Sequence, residues 1–220
     1  MMLNDLAITL GFPDALRPQV AALYEAAFGP KLAGAIPDAG RRLKILEEGF
    51  DPSHALVATS GTTVLGVAGF KTRAGALTSG IGLRSLRAHL GLPGAIRAIA
   101  VLALFERSPG PGQLVMDGIA VSPEARGGGI GTRLLNRLKE FAAEQGYRTI
   151  RLDVIDTNPG ARRLYERLGF VATRTEDVRY LRWLLGFSAA TTLEYAVKPE
   201  DRAGSRTSRT ATQPGGEAGL

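Results

Sequence analysis

The 220-residue chain contains no cysteine and only two histidines. The first absence removes disulfides, iron–sulfur clusters, thiolate metal sites and a cysteine nucleophile. With His54 and His89 far apart and far from any motif, no metal site and no catalytic histidine are expected. Long hydrophobic runs are missing too. The most apolar stretch, "GAIRAIAVLALF" from Gly94 to Phe105, is interrupted by Arg97 and falls short of the ~20 residues a membrane span requires. A buried or interface helix is expected there instead. The opening "MMLNDLAITL" lacks a basic segment followed by an apolar one, so no signal peptide is expected, and the absence of cysteine fits a cytoplasmic location. Net charge is +6, yet no basic run reaches five or six residues and the arginines are dispersed. That pattern reads as a solvated basic surface, without a nucleic-acid partner. No G-x-S-x-G elbow occurs, which argues against a hydrolase triad.

What is present supports one sizeable core. "LAITLGF" reads as an opening strand, and "PDALRPQVAALYEAAF" and "PDAGRRLKILEEGF" as two helices. "HALVAT" and "TVLGVAGFKT", separated by Ser60-Gly61, read as a hairpin. Residues 72–112 break the pattern and form a helical insertion that lies against the core or a partner. A homodimer through this segment is one expectation. "QLVMDGIAV" is a nearly continuous apolar strand, of the kind buried on both faces. A long helix follows with Ile130, Leu134, Leu135, Leu138, Phe141 and Ala142 on one face and a stop at Gly146. "TIRLDVID" is a strand, and "NPGARRLYERLGF" a helix opened by an Asn cap and ended by Gly169. "FVATRTEDV" and "TTLEYAV" are the closing strands. Asp153 and Asp156 read as a strand-face and a turn residue. From residue 199 to 220 large apolar side chains almost vanish, and a disordered tail is expected after a domain spanning 1–198.

The most unusual stretch is "EARGGGIGTRLL", Glu124 to Leu135. Counted from Gly127 or Gly129, its spacing fails the G-x-G-x-x-G dinucleotide fingerprint, and Gly131-Thr132-Arg133 fails the Walker loop. Arg126-x-x-Gly129-x-Gly131 between a buried strand and a long helix suits an anion held by free N–H groups at a helix start, with Arg126 and Arg133 adding charge. A tight turn that needs glycine only for its backbone angles is the competing reading.

"MDGIAVSPEARGGGIGTRLL" followed some thirty residues later by "DVIDTNPGARRLYERLGF" resembles the GNAT superfamily of acyl-CoA-dependent N-acetyltransferases, over about Leu114 to Phe170. The resemblance implies an α/β fold with a twisted mixed sheet of six or seven strands and flanking helices. The fourth and fifth strands, Gln113–Val121 and Thr149–Ile155, are expected to splay apart and admit acetyl-CoA as acyl donor. Ile119, Ala120 and Val121 match the strand end that pairs with the pantetheine arm. Arg126, Gly127, Gly128, Gly129, Ile130, Gly131 and Thr132 match the pyrophosphate loop, where side chains would obstruct close wrapping. Asn158, Ala161 and Arg162 match positions beside the cofactor.

Tyr165 matches the family's general acid, which protonates the departing thiolate; a plain core tyrosine is the alternative, because Ala161, Tyr165 and Leu168 share a helical face. Asp117, an acid in an apolar strand, is the candidate base or amine-binding group; pairing with an arginine or facing solvent is the alternative. The Val121 N–H is the implied oxyanion donor, freed from the ladder by a bulge. Arg179, Tyr180 and Trp183 fall where family members build an acceptor pocket, or are merely packing. The expected reaction is direct transfer of acetyl to a primary amine, with a small amine or amino acid first and a protein amino group second. The rival is a non-catalytic acyl-CoA-binding module.

Overall fold

The computed structural model describes residues 5–182 and 186–202. Seven strands form one mixed sheet in the order β1-β2-β3-β4-β5-β7-β6. They are β1 (Leu6–Leu10), β2 (Ala55–Ser60), β3 (Thr63–Lys71), β4 (Gln113–Val121), β5 (Thr149–Ile155), β6 (Val171–Asp177) and β7 (Ala189–Ala196). The helices are α1 (Arg17–Leu32), α2 (Ala39–Gly49), α3 (Leu83–Leu102), α4 (Ile130–Glu144) and α5 (Pro159–Arg167). All pairs are antiparallel except β4–β5.

Alternation along the strands divides the core into two layers. On one face Leu114, Met116, Ile150, Leu152 and Leu193 meet the apolar stripe of α4 and Tyr165 of α5. On the other, Val57, Val67 and Ala120 meet Val20, Ala21 and Tyr24 of α1 and Leu46 of α2. The α4 stripe buries the side chains its periodicity announces, and the helix ends where Gly146 takes φ 75° and Tyr147 N–H returns to the Ala142 carbonyl at 2.8 Å.

One buried residue of α4 breaks the apolar rule. Lys139 donates to the Leu168 carbonyl and lies over the rings of Phe170 and Tyr195. Burial pushes its pKa down. Tyr195 in turn donates to Asp201 at 3.0 Å, inside a short 3-10 turn over Pro199–Arg202. This turn falls within the first four residues of the segment expected as a tail. Residues 203–220, the rest of the expected tail, lie outside the described residues.

The insertion contains α3, whose two segments meet at Gly91, φ 69°, two residues before Pro93. Leu86, Ala95 and Ala98 pack on Ala35, Ile36 and Ile45, so the insertion rests on the chain's own core. Its outer side leaves Leu92, Ile96, Ile99 and Leu104 exposed. No helix among the described residues is long and apolar enough to cross a membrane.

Arg42 anchors the corner between α1 and α2. Its guanidinium donates to Glu25 at 2.7 Å and to the carbonyls of Ile36 and Pro37 at 2.6 and 2.9 Å, in a nearly closed environment. Arg42→Ala strands a buried carboxylate and two carbonyls, and is expected to cost roughly 3 kcal/mol in urea denaturation.

Candidate active site

The parallel pair β4–β5 is short. Its register runs only from Gln113–Thr149 to Met116–Leu152, after which the strands part. The remaining residues, Asp117–Val121 and Asp153–Ile155, face each other across a gap. This is the expected splay. Burial follows it: β4 is closed at Leu114–Met116 but half-buried at Asp117–Ile119, so the expectation of a strand covered on both faces fails over that part.

Backbone alternation decides what the gap receives. Ser122 N–H donates to the Leu65 carbonyl at 2.9 Å, and the register continues through Gly66–Val121, Val67–Ala120 and Ala68–Ile119. Opposed residues in an antiparallel pair alternate between bonded and non-bonded. Ala120 therefore exchanges its bonds with Val67, while the amides of Ile119 and Val121 turn away from β3 into the gap. On this register Ala120 pairs with Val67 of β3, and the two amides on either side of it are the ones left to the gap. The bulge also falls elsewhere: the register shifts between Gly69 and Phe70, making Asp117 the extra residue. Val121 N–H is released by the parting of β4 and β5. The bulge instead re-aims Asp117 toward the α1 face.

The glycine loop links β4 to α4. Pro123–Ala125 make one 3-10 turn, closed by Ala125 N–H to Ser122 O at 3.0 Å, and Gly128 N–H bonds the Ala125 carbonyl at 3.3 Å. Gly127 and Gly129 adopt φ of 80° and 77°, where an added Cβ would touch nothing but would be strained. Gly131 has a different reason: its Cβ would lie 3.3 Å from Leu164 of α5. The turn demands two of these glycines for their backbone angles, and it leaves the helix start open. No side chain caps α4, and its first backbone bond is Arg133 N–H to Gly129 O at 3.0 Å. The amides of Ile130, Gly131 and Thr132 consequently have no helical acceptor. Gly128's amide is already used in the turn. Arg126 reaches back to the Val121 carbonyl at 3.4 Å, and Ser122 Oγ is buried without a hydrogen-bond partner among the described residues. Open amides, a nearby guanidinium and an orphaned hydroxyl fit a pyrophosphate. Gly129→Ala is expected to cost about 1–2 kcal/mol of stability and to weaken coenzyme A binding, read by calorimetry.

Helix α5 stands beside this loop. Asn158 caps it, accepting from Ala161 N–H at 3.1 Å, while Arg162 pairs with Glu166 at 2.8 Å on the exposed side. Tyr165 is 5% exposed within the α4–α5 core layer, 6.0 Å from the Phe170 ring between centroids. Its hydroxyl makes no hydrogen bond with any described residue, and burial pushes its pKa up to about 12.

On the opposite face lies a cavity of about 520 Å³, bordered by α1, α2, the end of β3 and the insertion. Asp117 opens into it with no hydrogen bond or ion pair among the described residues. Burial pushes its pKa up to about 6, against the pull of Lys71 and Lys31. Tyr24, pressed on Phe28 at 4.4 Å and near Asp117, is also raised, mainly by burial. The Phe28 ring covers Gly118, where any Cβ would come within 2.5 Å of it. Thr72, on the cavity wall, contacts His54 Nε2 at 3.3 Å, and His54 Nδ1 lies 2.9 Å from Asp51. His89 pairs with Glu48. Asp153 receives the Thr192 hydroxyl at 2.5 Å and Asp156 the Ser188 amide, as structural residues do. Arg179 pairs with Asp177, Tyr180 is 74% exposed, and neither lines this cavity; Trp183 lies outside the described residues. Among the described residues no group of three or more acidic or histidine side chains is placed to hold a metal.

Sequence reasoning missed the charged cavity wall of Lys31, Lys71, Arg73, Glu106 and Arg107. It is assembled from segments up to 76 positions apart in the chain, and only the basic end of "FKTR" hinted at it.

A seven-stranded mixed sheet, parted beside an open helix start, defines an acetyltransferase architecture of the GNAT type. Residues 20–170 match the acetyltransferase (GNAT) family, and the chain belongs to that family. A GCN5-related N-acetyltransferase from Kribbella flavida shares the fold at TM-score 0.58 with 18% identity, over 89% of this chain and 99% of that one. An acetyltransferase from Salmonella typhimurium, solved with its cofactor acetyl-CoA, aligns at TM-score 0.52 and 19% identity, over 89% and 95%. In sequence, an uncharacterised N-acetyltransferase of Methanocaldococcus jannaschii is 48% identical over 52 residues, 24% of this chain and 23% of that protein. The thialysine N-epsilon-acetyltransferase of Bos taurus is 39% identical over 56 residues, 26% and 33%. The chain thus matches only a quarter to a third of the length of these relatives.

Proposed function

We propose that this protein transfers acetyl from acetyl-CoA to the primary amine of a small molecule. The parting of β4 and β5 carries the reading, because it opens the sheet between Tyr165 on one face and the unpartnered Asp117 on the other. The Salmonella neighbour solved with acetyl-CoA and the relatives named as N-acetyltransferases support the donor and the reaction; the thialysine enzyme supports a small amine.

Bound acetyl-CoA supplies an activated thioester. The amides of Ile130, Gly131 and Thr132, with Arg126, hold its pyrophosphate, while Ile119 and Val121 hold the pantetheine arm by their backbone. Asn158, Ala161 and Arg162 flank the arm. Val121 N–H donates to the acyl oxygen. Asp117 takes a proton from the incoming ammonium, which has no lone pair until it loses one. Tyr165, kept protonated by burial, would deliver a proton to the departing sulfur and regain one from the second proton that the nitrogen sheds as the amide forms, so that one proton leaves on Asp117 and one on the thiol. With no cysteine in the chain to carry an acyl group, the amine attacks the thioester directly.

Thiol release from acetyl-CoA, measured across amines, amino acids, polyamines and peptides, tests the reading. Turnover with a small amine is expected. Tight coenzyme A binding without transfer to any acceptor would instead make the protein a binding module, and selective turnover of peptides would make it a protein acetyltransferase.

A further inference from the structure

The cavity beside Asp117 has a charge pattern of its own. Lys31, Arg42, Lys71, Arg73 and Arg107 line it, against Glu106 and Asp117. Most of this charge is already matched. Arg42 is held by Glu25 and two carbonyls, and Lys71 pairs with Glu106. Arg107 faces Asp153 and Glu176, both at 3.4 Å. Lys31 sits in the wall, where burial pushes its pKa down against the pull of Asp153 and Asp117.

Two groups of opposite sign remain without an ion pair or hydrogen bond among the described residues. Asp117 lies inside the cavity. Arg73 stands at the mouth, on the tight turn closed by Thr72 N–H to Gly75 O at 2.8 Å. Asp117 lies opposite Gly69 and Phe70, and Arg73 follows three to four positions later, two residues past the end of β3 at Lys71. The length of an arginine side chain lets its guanidinium serve carboxylates at several distances from the amine. The same cavity is also lined by the apolar side chains of Phe28, Leu32, Ile45 and Leu102.

We propose that the acceptor is an amine that carries a carboxylate, an amino acid, bound with its amino end at Asp117 and its carboxylate at Arg73. The proposal rests on the acetyltransferase reading of this same site. A dication gains nothing at the mouth and meets Arg73 as a like charge. A zwitterion satisfies both unpartnered groups and forms a charge-assisted, fork-shaped contact with the guanidinium.

Matched acceptor pairs test this in the thiol-release assay: lysine and cadaverine, phenylalanine and 2-phenylethylamine, γ-aminobutyrate and butylamine. In the most active pair the carboxylate-bearing member is expected to show a kcat/KM about tenfold higher or more, from one charge-assisted contact. Arg73→Gln should abolish that advantage through KM, with kcat and coenzyme A affinity unchanged, and Arg73→Lys should restore part of it. Transfer to amines regardless of the carboxylate, or an advantage that survives Arg73→Gln, overturns this proposal and leaves the acetyltransferase reading standing. Silence with every amine, while coenzyme A still binds, overturns both.

Discussion

Tyr165→Phe should lower kcat by about a hundredfold, within the range of a lost general acid. Melting temperature and coenzyme A affinity should change little. The second half of this expectation comes from the surroundings of the hydroxyl. It bonds no described residue, so removing it strands no partner, and the ring keeps its contact with Phe170. A tyrosine kept only for packing gives the same stability and the same turnover. Kinetics and melting measured on one preparation separate the two. Unchanged kcat removes Tyr165 from the chemistry. Burial also fixes the pH behaviour: with a pKa near 12 the phenol stays protonated throughout the working range, so it adds no descending limb to the rate profile below about pH 11.

Asp117→Asn should act on both rate and stability, in opposite directions. In the wild type kcat/KM rises as Asp117 ionises near pH 6 and levels above it, since a base must be deprotonated to work. The variant should lose that limb and about a hundredfold of activity at pH 8. Stability runs the other way. The folded carboxyl holds its proton to about pH 6 against an ordinary value of 3.8, so the native state binds the proton more tightly than the unfolded chain. The stabilisation is complete below about pH 4, declines as pH rises to about 6, and is absent above; two pKa units correspond to about 3 kcal/mol. Asp117→Asn should flatten this dependence and gain roughly 2 kcal/mol at pH 7.5 relative to wild type. Urea denaturation at pH 4 and 7.5 measures it. A variant with wild-type pH dependence in both rate and stability removes Asp117 as base.

The elements that periodicity and end signals mark most strongly are those the chain forms. Asn158 and Gly169 bound α5, and Gly146 ends α4, because caps and stops are local chemistry. The glycine loop was equally legible, since positive φ leaves a mark on single residues. Features set by pairing between distant segments were not. Whether Ala120 or Val121 offers its amide to the gap depends on the β3 register, and the bulge at Asp117 depends on Gly69 and Phe70 lying opposite. Lys139 reads as an outward lysine until Leu168, Phe170 and Tyr195 close around it. The cavity wall joins Lys31, Lys71 and Arg107, which no local pattern relates.

The insertion between β3 and β4 supplies Thr78, Ser79, Ile81, Leu102, Glu106 and Arg107 to the cavity wall, while none of the residues of the glycine loop line that cavity. The sheet thereby stands between the two sets of residues, which meet only where β4 and β5 part. If the cavity is the proposed acceptor site, substitutions in residues 72–112 are expected to change which amine is accepted while donor use stays constant. Grafting a relative's equivalent segment onto this scaffold would then exchange acceptor preference at unaltered KM for the thioester.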